Sequence, residues 1–206
     1  MPVKTLDVPC MIDQGHEVLD YVNNAVQNSE TLAKMILIAQ SLSVDIVCIS
    51  SAAFWLFKGN SMRLPLAVIL FYLIRMPNIY VFTPKFPEGF FFEYPGFPSF
   101  CVPYGRSSDF FFSGHTGIMV IMVLEWRKLG YHKMKVFSSI LLCYVMFSLL
   151  TIRIHYTVDV TIGLFFAHYM FIISEYLELK LNLKCIQYQE SIQAIINKYR
   201  QKNIEK

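Results

Sequence analysis

The sequence predicts an all-α membrane protein, a polytopic helix bundle with about five transmembrane helices. Of its 206 residues, 55% are hydrophobic and only 16% are charged, whereas soluble domains carry about a quarter charged residues. The mean hydropathy is +0.44, and long apolar runs recur between short polar or irregular segments. These observations indicate that lipid surrounds most of the protein, and at this length we expect one domain.

Five apolar runs are the candidate membrane helices. A helix needs roughly 20 residues to cross the hydrocarbon core, and about 17 can suffice. The first two runs reach this length, with Asp45 and Arg75 as their charged residues. The other three reach it when their aromatic or polar ends lie at the interface. The runs are residues 35–57, 64–82, 110–126, 136–152 and 160–174.

The remaining segments differ in character. Residues 1–33 place apolar side chains at helical spacing among polar ones, which predicts an amphipathic helix at the membrane interface. Prolines and glycines exclude a continuous helix between residues 83 and 108, where many aromatic residues indicate a folded loop at the membrane surface. We therefore expect an interfacial segment at 1–33, a transmembrane domain at 34–180 and a mixed-charge cytosolic tail at 181–206.

The charges of the loops predict the orientation of the chain. Residues 127–135 hold four Arg or Lys side chains and no acid, and Lys58 and Arg63 bracket a second loop without acids. Both patterns are typical of cytosolic loops, whereas the long loop balances its bases with acids. We expect the long loop and the turn at 152–157 to face the lumen or exterior. The C-terminus would be cytosolic, in a membrane of the endoplasmic reticulum, the Golgi or the cell surface.

Composition argues against several other classes of protein. The basic residues form no continuous stripe, which argues against nucleic-acid binding. The five cysteines lie far apart with no CxxC pair, so neither a zinc site nor a disulfide framework is indicated. The helices carry too few polar residues for a channel or transporter. We expect no metal and no cofactor.

Two short motifs carry the candidate catalytic residues. "SSDFFFSGHTG" at 107–117 places His115 near the start of the third run, and "RIHYTVDV" at 153–160 places His155 and Asp159 near the start of the fifth. Both starts lie on the same predicted face of the membrane. His155 and Asp159 are four residues apart, so on a helix they share a face and can touch.

This arrangement suits phosphoryl chemistry on a lipid headgroup. A carboxylate beside an imidazole fixes its tautomer and leaves the other ring nitrogen free to attack. Ser113 and Gly114 let the backbone approach an anion, and two helix N-termini offer N–H groups to a phosphate. Arg75 is a candidate phosphate partner, because an arginine in a membrane helix is costly. Arg153, two residues before His155, is a second candidate. For Arg75, an internal pair with Asp45 is the alternative.

Each histidine also has an interpretation without catalysis. A single histidine in an aromatic segment is more often an interfacial or hydrogen-bonded residue than a catalyst. The joint placement of His115, His155 and Asp159 on one face favours catalysis. We expect His16, His132 and His168 to be structural or solvated.

The two motifs resemble those of a known family. "DFFFSGHT" at 109–116 and "HYTVDV" at 155–160 are similar to the two signature motifs of the sphingomyelin synthases, a branch of the type-2 phosphatidate phosphatase (PAP2) superfamily. They are also similar to plant-type phosphatidylcholine:diacylglycerol cholinephosphotransferases, in which a loop like "FPEGFF" at 86–91 precedes the SGH motif. The resemblance covers most of residues 9–175.

The resemblance implies a PAP2-like catalytic domain that transfers phosphocholine or phosphoethanolamine from a phospholipid to a lipid alcohol, ceramide or diacylglycerol. His155 would form a phosphohistidine with Asp159 orienting it, and His115 would protonate the leaving lipid and then activate the acceptor.

Three departures from the family pattern accompany the resemblance. The acidic N-terminal motif of sphingomyelin synthases is echoed only by Asp13, and the first of six family spans has no counterpart here. The KxxxxxxRP element of the phosphatases is also missing, which favours a transferase. A lipid phosphate phosphatase and a non-catalytic lipid-binding protein are the alternatives.

Overall fold

The computed structural model describes residues 12–82, 84–104 and 111–204. These residues form seven helices and their connecting loops and no strand, so the predicted all-α class is confirmed. The helices are α1 (Gln14–Val18), α2 (Asp20–Gln27), α3 (Glu30–Lys58), α4 (Arg63–Val81), α5 (Gly114–Lys128), α6 (His132–Thr151) and α7 (Thr157–Ile204). The first third of the predicted interfacial segment and the approach to the SGH motif at 105–110 lie outside the described residues.

Four helices are long and apolar enough to cross a membrane: α3, α4, α6 and the Thr157–Lys184 part of α7. They coincide with four of the five predicted runs and support an integral membrane protein. The remaining run, 110–126, corresponds to α5. With 15 residues it is about 22 Å long, shorter than the hydrocarbon core. Helix α5 contacts α3, α4, α6 and α7, so it is the central helix of the bundle.

One helix pair packs closely enough to require glycine. A Cβ added at Gly117 of α5 would overlap the ring of Phe71 on α4. The Phe71 ring is fully buried and packs edge-on against Phe112 at 5.2 Å between centroids. The ring therefore has little room to move aside.

Replacing Gly117 with alanine is expected to destabilise the protein by about 1–3 kcal/mol, the usual effect of overfilling a packed core. Thermal unfolding in detergent measures this as a lower midpoint. Because the conflict is with one ring, Gly117→Ala combined with Phe71→Leu should be less destabilised than the sum of the two single variants. Strict additivity would contradict the assigned contact.

The long loop is anchored to the middle of α3 by Asp45. Its carboxylate accepts hydrogen bonds from Ser99 Oγ at 2.9 Å, Phe100 N at 3.1 Å and Cys101 N at 2.9 Å. The Tyr104 hydroxyl donates to Ser41 Oγ at 2.6 Å, one turn away on the same helix. The described part of the loop, 84–104, contains no helix, as the prolines predict. Asp45 therefore acts as a structural anchor for this loop.

A buried cluster of charges holds together the opposite end of the bundle, where the basic loops predict the cytosolic face. Arg63 donates two hydrogen bonds of 2.8 Å to the two oxygens of Glu125. Its third nitrogen lies 3.8 Å from Glu178, whose other oxygen accepts the Met62 N–H at 2.8 Å. This cluster ties the start of α4 to the end of α5 and to the middle of α7.

Candidate active site

His155 lies in the tight turn between α6 and α7. Arg153 adopts φ = 53°, an uncommon conformation for a residue with a side chain. The chain then folds back, and the Ile154 N–H donates to Leu149 O at 3.0 Å. As a result His155 is only 2% exposed and stands just before the start of α7.

Asp159 lies in the first turn of α7, below His155. Its Oδ2 accepts the backbone N–H of Tyr156 at 3.1 Å, as the acidic residue of a capping box does. The same oxygen lies 3.8 Å from His155 Nδ1, which is ion-pair distance but longer than a hydrogen bond. The structure thus brings together the two residues that the i, i+4 spacing predicted, with Nδ1 facing the carboxylate.

The two histidine motifs meet at the backbone level. The Ser113 N–H donates to Asp159 O at 3.1 Å, and a Cβ added at Gly163 would lie 2.8 Å from Ser113 O. The rings of His115 and His155 have centroids 6.1 Å apart and planes at 66°. The starts of α5 and α7 therefore adjoin, which places both imidazoles in one site.

Arg75 contributes a buried positive charge at the start of α5. It is 7% exposed, and its Nε donates to Phe112 O at 2.8 Å. A Cβ added at Gly114 would lie 3.0 Å from Arg75 Cζ, so the guanidinium lies directly against this glycine. Ser113 caps the helix, with its Oγ accepting the Thr116 N–H at 3.3 Å.

Arg153 faces a different set of groups. Its guanidinium donates to Glu88 O at 2.7 Å, Asp20 Oδ1 at 2.7 Å and His16 O at 3.3 Å. These contacts connect the turn to the long loop and to the N-terminal helices. The contact of Arg153 with substrate stays a prediction.

The long loop covers one side of the imidazole pair. Phe92 is buried, and its ring meets His115 edge-on at 6.4 Å between centroids. The Phe91 N–H donates to Ile152 O at 3.1 Å, and the Tyr156 hydroxyl donates to Lys85 O at 2.8 Å. The loop is therefore joined to the turn that carries His155.

Two residues of the N-terminal segment reach the site without having been predicted as part of it. His16 is buried, and its Nε2 lies 2.9 Å from His155 O. The Asp13 carboxylate accepts hydrogen bonds from Thr157 N at 2.5 Å and Thr157 Oγ1 at 2.7 Å. In the sequence, the partial likeness to the family's acidic motif indicated Asp13, and no pattern indicated His16.

The Asp13 contacts also determine how this region responds to acid. Burial raises the pKa of the Asp13 carboxyl, but hydrogen bonds from Thr157 and Gly15 and the nearby His16 outweigh it and hold the pKa below the ordinary value of 3.8. A carboxylate of this kind stabilises the fold fully above its ordinary pKa and loses that contribution as the pH falls through the lowered value. The contribution of Asp13 to stability is therefore fully present at neutral pH.

Among the residues that the structure describes, no group of three or more His, Cys, Asp or Glu side chains is placed to hold a metal ion. The described site contributes two imidazoles, one carboxylate and a buried guanidinium.

A comparison with known protein families matches the region that contains the candidate site. A family model described as PAP2 superfamily C-terminal matches residues 107–176, which contain both histidine motifs, α5, α6 and the first part of α7. No curated protein and no solved structure matches the chain. The described residues form a helical bundle with four candidate membrane spans, and residues 107–176 are similar to the PAP2 superfamily C-terminal family. The superfamily, whose members are usually phosphoesterases or phosphotransferases, fits a lipid phosphatase or phosphotransferase.

Proposed function

We propose that the protein is a lipid headgroup transferase, which moves phosphocholine or phosphoethanolamine from a phospholipid to ceramide or diacylglycerol. The observation that carries this proposal is the meeting of His115, His155 and Asp159 at the adjoining starts of α5 and α7. The buried guanidinium of Arg75 beside Gly114 adds a positive charge suited to a phosphodiester.

In the first step His155 attacks the donor. Its Nδ1 faces Asp159, so Nε2 is the nitrogen that forms the bond to phosphorus. The bond between phosphorus and the diacylglycerol oxygen breaks, and His115 gives its proton to that oxygen. The headgroup is then held on His155 as a phosphohistidine while diacylglycerol leaves. A nearby carboxylate favours the positive charge that develops on the imidazole.

In the second step the acceptor replaces diacylglycerol. Its hydroxyl proton passes to His115, its oxygen bonds to phosphorus, and the bond between phosphorus and Nε2 breaks. Both histidines return to their starting protonation states, so no cofactor is consumed. Covalent catalysis of this kind divides one difficult displacement into two easier ones.

A lipid phosphate phosphatase is the second candidate, because the PAP2 match fits it equally. The same residues would act, with water in place of the lipid alcohol. The burial of His155 and the cover that Phe92 gives to His115 favour a site with restricted water, and hence the transferase. A non-catalytic lipid-binding protein is the third possibility.

The proposed arrangement assigns residues 34–180 to the catalytic domain. It places the site on the lumenal or exterior face and the C-terminal tail in the cytosol, in an endomembrane or the plasma membrane. The basic loop at 127–135, at the opposite end of α5 from His115, supports this orientation.

The test uses purified protein in liposomes that contain headgroup-labelled phosphatidylcholine with either ceramide or diacylglycerol. Label in sphingomyelin, or in phosphatidylcholine that carries the distinct acyl chains of the added diacylglycerol, establishes the transferase and names its acceptor. Release of water-soluble phosphocholine without lipid product establishes the hydrolase. Labelled phosphatidylethanolamine is the second donor, and absence of turnover with both donors would reject the headgroup transferase.

A further inference from the structure

We infer that the N-terminal strap, residues 12–27, positions the proposed nucleophile, and that His16 is the positioning residue that holds the His155 backbone. The inference rests on the proposed function, in which His155 attacks phosphorus. It assigns a role to a segment that lies outside the PAP2-matched region.

His16 contacts the main chain of the nucleophile itself. Its Nε2 lies 2.9 Å from the carbonyl oxygen of His155, and its ring stacks on Tyr156 at 5.4 Å between centroids. A carbonyl oxygen cannot donate, so Nε2 must carry the proton of this hydrogen bond. At 6% exposure the bond is shielded from competing water. Loss of this donor would leave a buried carbonyl without that hydrogen bond, a costly change.

Asp13 holds the residue that begins α7. The carboxylate accepts both the backbone N–H and the hydroxyl of Thr157, and a negative charge at a helix N-terminus is stabilising. A Cβ added at Gly15 would overlap Thr157 Oγ1, so the strap approaches the helix start as closely as a glycine allows.

The strap also holds the turn on the other side of His155. Asn23 is 2% exposed, and its Nδ2 donates to Thr151 O at 2.8 Å. Asp20 Oδ1 accepts a hydrogen bond from Arg153 Nη2 at 2.7 Å. The strap therefore contacts every second residue of the segment that carries the nucleophile: Thr151, Arg153, His155 and Thr157.

These contacts are important because the conformation of the turn has to be stabilised by residues outside the turn. Arg153 adopts a left-handed backbone conformation, which persists in a residue with a side chain only where the surroundings hold it. Displacement of a reacting atom by about 1 Å can lower a rate by about 10²-fold. The strap makes its contacts with the backbone and with helix ends, so we expect it to affect the chemical step more than lipid binding.

The test compares His16→Leu, which removes the donor, with His16→Gln, whose amide N–H can reach the same carbonyl. For headgroup transfer in liposomes we expect His16→Leu to lower kcat by about 10- to 100-fold, with KM for the donor unchanged. His16→Gln should recover most of that loss. His132→Leu is the matched control, since His132 is exposed at the far end of α6, and it should have no effect.

A second readout does not depend on turnover. Hydrogen–deuterium exchange of residues 151–157 should be faster in His16→Leu than in the wild type and slow again in His16→Gln. Unchanged exchange and unchanged kcat in His16→Leu would overturn the inference. So would equal loss of kcat in both variants together with a lower thermal midpoint, which is the outcome of a purely structural role. Wild-type protein that is inactive but shows the expected exchange pattern would reject the proposed function and leave the positioning role supported.

Discussion

Replacement of His155 by glutamine is expected to reduce headgroup transfer by about 10³-fold or more. Glutamine keeps a polar side chain of similar length in a site that is 2% exposed, so the fold should survive. The amide nitrogen cannot form a phosphorus–nitrogen intermediate, so the two-step mechanism is no longer available. The measurement is transfer of labelled phosphocholine in liposomes, together with rapid-quench detection of acid-labile label on the protein.

Two controls separate this effect from damage to the fold. His132→Gln alters an exposed histidine outside the site and should keep wild-type activity. Asp159→Asn should retain more activity than His155→Gln, because Asp159 lies 3.8 Å from the imidazole and acts through it. Transfer by a well-folded His155→Gln protein at more than a tenth of the wild-type rate would rule out His155 as the nucleophile.

Breaking the Arg63–Glu125 pair is expected to produce the largest loss of stability. Arg63 is 8% and Glu125 4% exposed, and removal of one partner from a buried ion pair costs about 3–5 kcal/mol, since the other charge is left buried. Arg63→Met and Glu125→Met should each lower the unfolding midpoint in detergent strongly. The double variant should recover much of the loss, because replacing both charges with apolar side chains is often neutral.

The Lys128–Glu175 pair is the matched control. Its side chains are 55% and 32% exposed at a distance of 2.8 Å, so Lys128→Met should cost less than about 1 kcal/mol. A Glu125→Met protein no less stable than Lys128→Met would mean that water reaches the buried cluster and that its charges are already solvated.

The elements that the sequence predicted well are those governed by local patterns. Hydropathy over about 20 residues located the four spans, because burial in lipid acts on each residue independently of the rest of the fold. The sequence predicted that His155 and Asp159 lie together, but His155 stands in the turn before α7 and not on the helix; the turn and the hydrogen bond from Tyr156 N to Asp159 bring the two side chains close. The short length of α5 was harder to predict, since a helix surrounded by protein need not match the thickness of the bilayer.

The elements that the sequence did not predict depend on contacts between distant residues. His16 was expected to be structural or solvated, and no periodicity connects it with His155, which lies 139 residues away. For Arg153 the sequence did not predict that its guanidinium contacts groups of the strap and the long loop, and its contact with substrate stays a prediction. Asp45 was considered as a partner for Arg75, and its hydrogen bonds instead go to the loop at 99–101. A lone charge in an apolar run indicates that a partner exists but not which one.

The strap has a further consequence for the biosynthesis of the protein. Asp13 leaves the ribosome before its partner Thr157, which follows 144 residues later. At about 5–20 residues per second this delay is roughly 7–30 s. During that interval three of the four candidate spans, α3, α4 and α6, are synthesised before the partner of Asp13 is available. The contacts between the strap and the turn that carries His155 therefore form only after these three helices have been made.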